Sequence, residues 1–202
     1  MAPEMNELSA DDNNAAQWEA HYLEGDAPWD KGSPSPSVKE VLALPHFSGP
    51  VLVPGCGRGH DAVAIAEAGH SVLAIDLAET GIADAQARYP AHAKSFVVDD
   101  LFAHEGAYQA IFEHTCFCAI HPAHRSKYVE AVHRLLKSGG RFFGVLYVTN
   151  EPEEIPGPPF RIPRDQILDY FSPLFEVVIA RSPAESFSSR KDSELLVELQ
   201  PK

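Results

Sequence analysis

The apolar run Val51-Leu52-Val53 stops at Pro54-Gly55-Cys56-Gly57-Arg58-Gly59, and an alanine-rich amphipathic stretch begins at Asp61. A β-branched run, alternating glycines and a helix-forming segment describe a strand, a tight turn and a helix start, with backbone N–H groups left open to a ligand. A second apolar run, Ser71 to Ile75, ends in Asp76. That acid lies about 20 residues beyond the turn, where a carboxylate can accept hydrogen bonds from a ribose. Together these features predict a βαβ unit with a nucleoside-cofactor cradle at its turn. The dinucleotide fingerprint sets its third glycine one position later than Gly59, and His60 stands in that place. Close approach of a pyrophosphate is thereby disfavoured, and NAD and FAD with it.

Beyond the turn, strand-like and helix-like periods alternate, which predicts a parallel sheet. The expected elements are helices Asn14 to Tyr22 and Ser37 to Leu44, strand Val51 to Val53, helix Asp61 to Ala68, strand Ser71 to Ile75 and helix Glu79 to Arg88. Strands Lys94 to Val98 and Ala110 to Thr115, helix Pro122 to Leu136 and, after a Gly139-Gly140 stop, strand Gly140 to Val148 follow. Helix Arg164 to Phe171 and the runs Phe175 to Ala180 and Glu194 to Leu199, a terminal antiparallel pair, complete the chain. In an open α/β sheet the ligand lies outside the carboxyl ends of the strands. Gly55 to Gly59, Asp76, Asp99-Asp100-Leu101-Phe102 and the stretch from Thr115 all follow strand ends, so they should line one rim. Asp99 and Asp100 suit an adenine amino group, and Leu101 and Phe102 its face. An acidic pair after a strand suits a helix cap equally well.

A chain of 202 residues fits one domain, here residues 14–202 with a helical cap over 14–45, preceded by a polar segment 1–13 expected to be disordered. A net charge of −13 argues against a nucleic-acid partner, which clustered Lys and Arg would bind, and favours a cationic ligand. No run is long enough to span a bilayer, and the polar start lacks the basic-then-apolar order of a signal peptide. Three cysteines make an odd count for a disulfide framework. These features predict a cytoplasmic protein without membrane attachment.

G-x-G-x-G after a strand, with the acid at the end of the next one, resembles the first motif of S-adenosylmethionine (SAM) methyltransferases. The entry loop Trp18-x-x-x-Tyr22-x-x-Gly25-x-x-Pro28-Trp29-Asp30-x-Gly32, together with Val53-Pro54-Gly55-Cys56-Gly57-x-Gly59-His60-Asp61, is similar to the thiopurine methyltransferase family. Ile111-Phe112-Glu113-His114-Thr115-Cys116-Phe117-Cys118-Ala119-Ile120-x-Pro122-x-x-Arg125 and Gly157-Pro158-Pro159-Phe160 resemble its thiol and halide branch. The resemblance implies a Rossmann-like class I fold: a mostly parallel seven-stranded sheet, helices on both faces and an antiparallel C-terminal strand pair. It implies SAM as donor and S-adenosylhomocysteine (SAH) as product, with a small-molecule acceptor and a monomer or dimer. Trp18 and Trp29 would wall the cofactor pocket, Gly55, Cys56 and Gly57 lie under the methionine portion, and Asp76 with Leu77 meet the ribose. Asp99, Asp100, Leu101 and Phe102 would take the adenine, and Thr115 would lie near the reacting sulfur.

Methyl transfer from a sulfonium to an anion is an in-line displacement that gains from desolvation and positioning and needs no general base. A thiol with a pKa of about 8.5 is already partly ionised near neutrality. No unambiguous base is evident in the sequence, which points to sulfur acceptors, with thiopurine or metalloid methylation as an alternative and a non-catalytic SAM-binding protein as another. Tyr147, near a strand end, corresponds to a branch tyrosine that faces the acceptor. His114 stands where the branch usually has tyrosine and is a candidate base or donor. Cys116-x-Cys118 and His121-x-x-His124 place cysteines with strand period against histidines at a helix entrance, so no metal site is expected. The Pro156 to Phe160 loop is read as a wall or lid of the acceptor site, and Arg161 as a residue that steers an anion.

Overall fold

The computed structural model describes residues 15–149 and 157–202. The expectation of a disordered 1–13 segment and the first residue of the Pro156 loop lie outside the described residues.

Helices α1 (Ala15–Glu24) and α2 (Val38–Leu42) precede the alternating core. The core runs β1 (Val51–Pro54), α3 (His60–Glu67), β2 (Val72–Asp76), α4 (Glu79–Arg88), β3 (Phe96–Val98), β4 (Tyr108–His114), α5 (Arg125–Leu135) and β5 (Leu136–Tyr147). Helix α6 (Ile167–Phe171) and strands β6 (Phe175–Arg181) and β7 (Glu194–Pro201) close the chain. The seven strands form one sheet in the order β3-β2-β1-β4-β5-β7-β6, in which β7 alone runs antiparallel, between β5 and β6.

Alternation along the strands splits the core in two. Leu52, Ile111, Phe142 and Leu146 join Tyr128, Val132, Ile167 and Phe171 from α5 and α6 on one face. Val51, Val53, Ala110, Phe112 and Phe143 join Val41, Val63, Ile65 and Ile82 from α2, α3 and α4 on the other. Both faces being covered explains why β1 is buried at every position and reads as a continuous apolar run rather than an alternating one.

Four expected elements need correction. The segment Lys94 to Val98 is strand only from Phe96, because Pro90 opens a 3-10 turn that takes in Lys94 and Ser95. Pro122–His124 is likewise a separate 3-10 turn ahead of α5. Helix α6 is shorter than the expected Arg164 start. The Gly139-Gly140 pair does not stop the chain before a strand. Leu136 already pairs with Tyr108, and after a register shift Arg141 pairs with Ala110, so the glycines form a bulge inside one long strand.

Candidate active site

The carboxyl ends of β1, β2, β3, β4 and β5 open on a cavity of about 450 Å³, roofed by α1 and the loop that follows it. This volume falls in the range of small-molecule sites. Trp18, Trp29, Gly55, Asp76, Leu77, Asp99, Asp100, Leu101, Phe102, His114, Thr115 and Tyr147 all line it, from segments spread over most of the chain.

At the first strand end, the turn is built around two glycines at positive φ, 58° for Gly55 and 52° for Gly57. A Cβ on Gly55 would fall 2.7 Å from Sγ of Cys116, and one on Gly57 would fall 2.9 Å from the Tyr22 hydroxyl. Neither space admits a side chain. The Gly57 N–H donates to Oδ2 of Asp76 at 2.8 Å, and the Ala78 N–H donates to Oδ1 at 3.0 Å, so the carboxylate joins the glycine turn to the start of α4. Burial pushes the Asp76 carboxyl up, against the backbone hydrogen bonds that favour its charged form. Cys56 and Gly57 do not line the cavity. Cys56 packs toward the α3 side of the core, and Gly57 lies behind Asp76 and beneath Tyr22.

The two tryptophans meet edge to face with centroids 5.5 Å apart, and His21 sits edge-on to Trp29 at 5.3 Å. Trp29 Nε1–H donates to the Tyr22 hydroxyl at 3.3 Å. Such packing gives two half-buried rings partners without a core of their own. Asp99 and Asp100 serve local structure as well as the rim. Asp100 Oδ1 accepts the Phe102 N–H at 2.9 Å, and Asp99 Oδ2 lies 2.7 Å from His104 Nδ1, whose Nε2 lies 2.7 Å from the Tyr108 hydroxyl.

Beyond β4 the chain bends sharply. Thr115 has a φ of 61°, an unfavourable conformation for a β-branched residue. The bend is held by Glu113, fully buried, whose Oε2 accepts the N–H groups of Cys116 and Phe117, each at 2.8 Å. Burial drives the Glu113 carboxyl up to about 7. The cysteines are therefore not strand residues, as the sequence suggests: β4 ends at His114, and Phe117–Ala119 is a 3-10 turn. Among the described residues, no group of three or more His, Cys, Asp or Glu is placed to hold a metal ion.

His114 lies on the cavity wall with both ring nitrogens engaged. Nδ1 is 3.0 Å from Asp61 Oδ2, and Nε2 is 2.8 Å from Arg190 Nη1 and 3.3 Å from Glu194 Oε1. Desolvation and Arg190 oppose its charged form, but Asp61 and Glu194 outweigh them and raise its pKa to about 9. As an imidazolium it gives its N–H groups to the carboxylates, and Nε2 no longer accepts from Arg190. As a neutral ring it gives Nδ1–H to Asp61 and turns its lone pair toward Arg190. In neither state does it offer a lone pair to the cavity. Tyr147, which ends β5, pairs across the sheet with Glu194 of β7.

Pro158 and Pro159 line the cavity, in keeping with a wall there, whereas Arg161 does not. The cavity's arginine is Arg190, in a 3-10 turn (Ser188–Arg190) before β7; it also donates to the Trp29 carbonyl at 3.0 Å. Sequence reasoning passed over Arg190, Glu194 and the anchoring roles of Asp61 and Glu113. Arg190 and His114 stand 76 positions apart, and no local spacing links them.

A family model described as thiopurine S-methyltransferase matches residues 13–199. The chain belongs to the thiopurine S-methyltransferase family. It is 31% identical over 195 residues to the probable thiol methyltransferase 2 of Arabidopsis thaliana, covering 92% of this chain and 84% of that one. It is 26% identical to the thiopurine S-methyltransferase of Photobacterium profundum, over 72% of this chain and 75% of that one. In three dimensions it resembles the Burkholderia thailandensis 1,6-didemethyltoxoflavin-N1-methyltransferase, crystallised with SAH, with a TM-score of 0.72, 20% identity and coverage of 93% and 86%. The fold is that of the class I methyltransferases, and this family member is a SAM-dependent methyltransferase.

The residues present fit that donor. Gly55 leaves a side-chain-free surface on the cavity wall, carboxylates stand at the ends of β2 and β3, and two indole rings suit a sulfonium.

Proposed function

We propose that this enzyme transfers the methyl group of SAM to a small sulfur nucleophile, a thiol, sulfide or related soft anion. One observation carries the reading: Tyr147, His114 and Arg190 line one part of the cavity, and both ring nitrogens of His114 are taken up by Asp61, Glu194 and Arg190, so the histidine has no lone pair to take a proton from an acceptor. An acceptor that arrives as an anion needs no base, while an oxygen or amine acceptor usually does. The names of the Arabidopsis and Photobacterium relatives point the same way.

The bound donor supplies an electrophilic methyl on a sulfonium. We assign Trp18 and Trp29 to its charged centre, Gly55 to its methionine portion, Asp76 and Leu77 to the ribose, and Asp99, Asp100, Leu101 and Phe102 to the adenine. Thr115, held in its bend by Glu113, is assigned to the wall beside the reacting sulfur. Tyr147 orients the acceptor, and His114, tied to Asp61, Glu194 and Arg190, forms part of the wall rather than the base considered from sequence. The aromatic roof keeps water from both partners, which speeds a displacement in which opposite charges vanish.

The acceptor enters as a small molecule, and residues 14–202 act as one domain, monomeric or dimeric. Among the described residues no helix is long and apolar enough to cross a membrane. Three free thiols support a reducing, cytoplasmic setting. Turnover of simple thiols, bisulfide, thiocyanate, iodide and thiopurines, followed by methylated product, tests the assignment. S-methyl products support it, and activity confined to an oxygen or nitrogen acceptor overturns it.

A further inference from the structure

Arg58 stands between the second and third glycines of the turn, and its side chain does not line the cavity. Its guanidinium meets three other elements. Nη1 donates to Asp30 Oδ2 at 2.8 Å, Nε donates to Asp84 Oδ2 on α4 at 2.9 Å, and the group lies 5.3 Å from the centre of the Tyr22 ring on α1. Asp30 is gripped from a second side by His60, whose Nε2 lies 3.0 Å from Oδ1 and whose Nδ1 lies 2.6 Å from the Tyr89 hydroxyl. The Gly32 N–H completes the carboxylate's partners at 2.7 Å. Burial opposes the charge on Asp30, yet Arg58, the Gly32 N–H and His60 together hold its carboxyl below the usual range.

The consequence lies one residue away. Asp30 follows Trp29, and Tyr22, under the guanidinium, accepts the Trp29 indole N–H. Trp29 in turn packs on Trp18. We propose that Arg58, assisted by His60, is a positioning residue that clamps the aromatic roof over the donor site without touching the donor. The proposal rests on the assignment of Trp18 and Trp29 to the donor made above. Only a guanidinium can hold Asp30 and Asp84 with separate N–H groups of fixed geometry; a lysine ammonium is a single point charge.

Both tryptophans of the chain lie in the roof, so indole fluorescence reads that segment alone. The full-length protein and its Arg58→Met, Arg58→Lys and Asp30→Asn variants are compared by acrylamide quenching and by titration with SAH. Methionine keeps the packing on Tyr22 and removes the charge. The clamp predicts stronger quenching and about three- to tenfold weaker SAH binding in Arg58→Met and Asp30→Asn, with partial recovery in Arg58→Lys. The KM for SAM rises while that for the acceptor holds. Quenching in Arg58→Met and Asp30→Asn equal to wild type overturns the proposal, whatever happens to affinity. Were the wild-type protein to bind no SAH, the donor reading would fall, and quenching would still decide whether Arg58 holds the tryptophans.

Discussion

Nδ1 of His114 lies 3.0 Å from Oδ2 of Asp61, and this contact brings the start of α3 against the end of β4 at the acceptor end of the cavity. The same Asp61 accepts the Ser35 N–H through Oδ1, so one carboxylate anchors both the entry loop and the histidine. With a folded-state pKa near 9 against an ordinary 6.5, the histidine contributes stability that is fully present below about pH 6.5 and lost as pH rises through about 9. Imidazole NMR should show His114 protonated at pH 7. Asp61→Asn should bring its midpoint down by about 1–3 units. A wild-type midpoint at or below 6.5 would show that Asp61 and Glu194 do not hold the imidazolium of His114.

Glu113 gives a second pH signature of the same sign at lower pH. Its carboxyl is raised from 4.5 to about 7, so its contribution to stability falls as pH rises across that window. Denaturant midpoints at pH 5 and pH 8 should converge in Glu113→Gln relative to wild type. Glu113→Ala leaves the Cys116 and Phe117 N–H groups without their acceptor and should cost about 2–5 kcal/mol. A loss under about 0.5 kcal/mol, as at an ordinary surface site, would show that the bend at Thr115 does not depend on Glu113.

Gly55 and Cys116 should show steric coupling. In Gly55→Ala the new methyl meets Cys116 Sγ and the backbone is held at a positive φ, so SAM affinity and stability should both fall. Adding Cys116→Ala removes the closer contact, with Sγ, but leaves Cβ at 3.2 Å and the φ penalty. Recovery of about 0.5–3 kcal/mol in the double variant is the expected interaction energy; strict additivity would place the two residues out of contact.

Asp76→Ala should weaken SAM binding by about 1–3 kcal/mol, measured by calorimetry. Because Asp76 also receives the Gly57 and Ala78 N–H groups, the melting temperature should fall as well, and Asp76→Asn should retain more of both properties. Unchanged affinity in the alanine variant would remove Asp76 from the ribose.

Tyr147→Phe separates the two ends of the cavity. Acceptor KM or kcat should change while SAM affinity holds, and the reverse result would move Tyr147 away from the acceptor.

Much of the fold is legible in the sequence because it rests on local pattern. The β1 run, the glycine turn and the Asp76 strand end are adjacent in sequence and adjacent in space, and the terminal antiparallel pair shows the same apolar period. The bulge at Gly139-Gly140 is not legible in this way, since a glycine pair reads as a stop until its partner Tyr108 is known to lie beside Leu136. The site divides along the same line. Residues at strand ends, such as Asp76, Asp99 and Thr115, are found by position, and Tyr147 by the family resemblance. Arg190 and Glu194 arrive from the far end of the chain, and their effect on His114 appears only when β7 inserts beside β5. The two cysteines mislead because an apolar run with period two resembles a strand, whereas the buried Glu113 carboxylate turns the chain there instead.

Everything proposed for the acceptor end depends on methyl passing from SAM to sulfur in this cavity. A single-turnover reaction with methyl-labelled SAM, excess enzyme and a simple alkanethiol, analysed by mass spectrometry, is the decisive experiment. The label is expected in an S-methyl thioether, with a matching amount of SAH. Label remaining on bound SAM with every sulfur acceptor offered, or appearing on oxygen or nitrogen, would contradict transfer to sulfur.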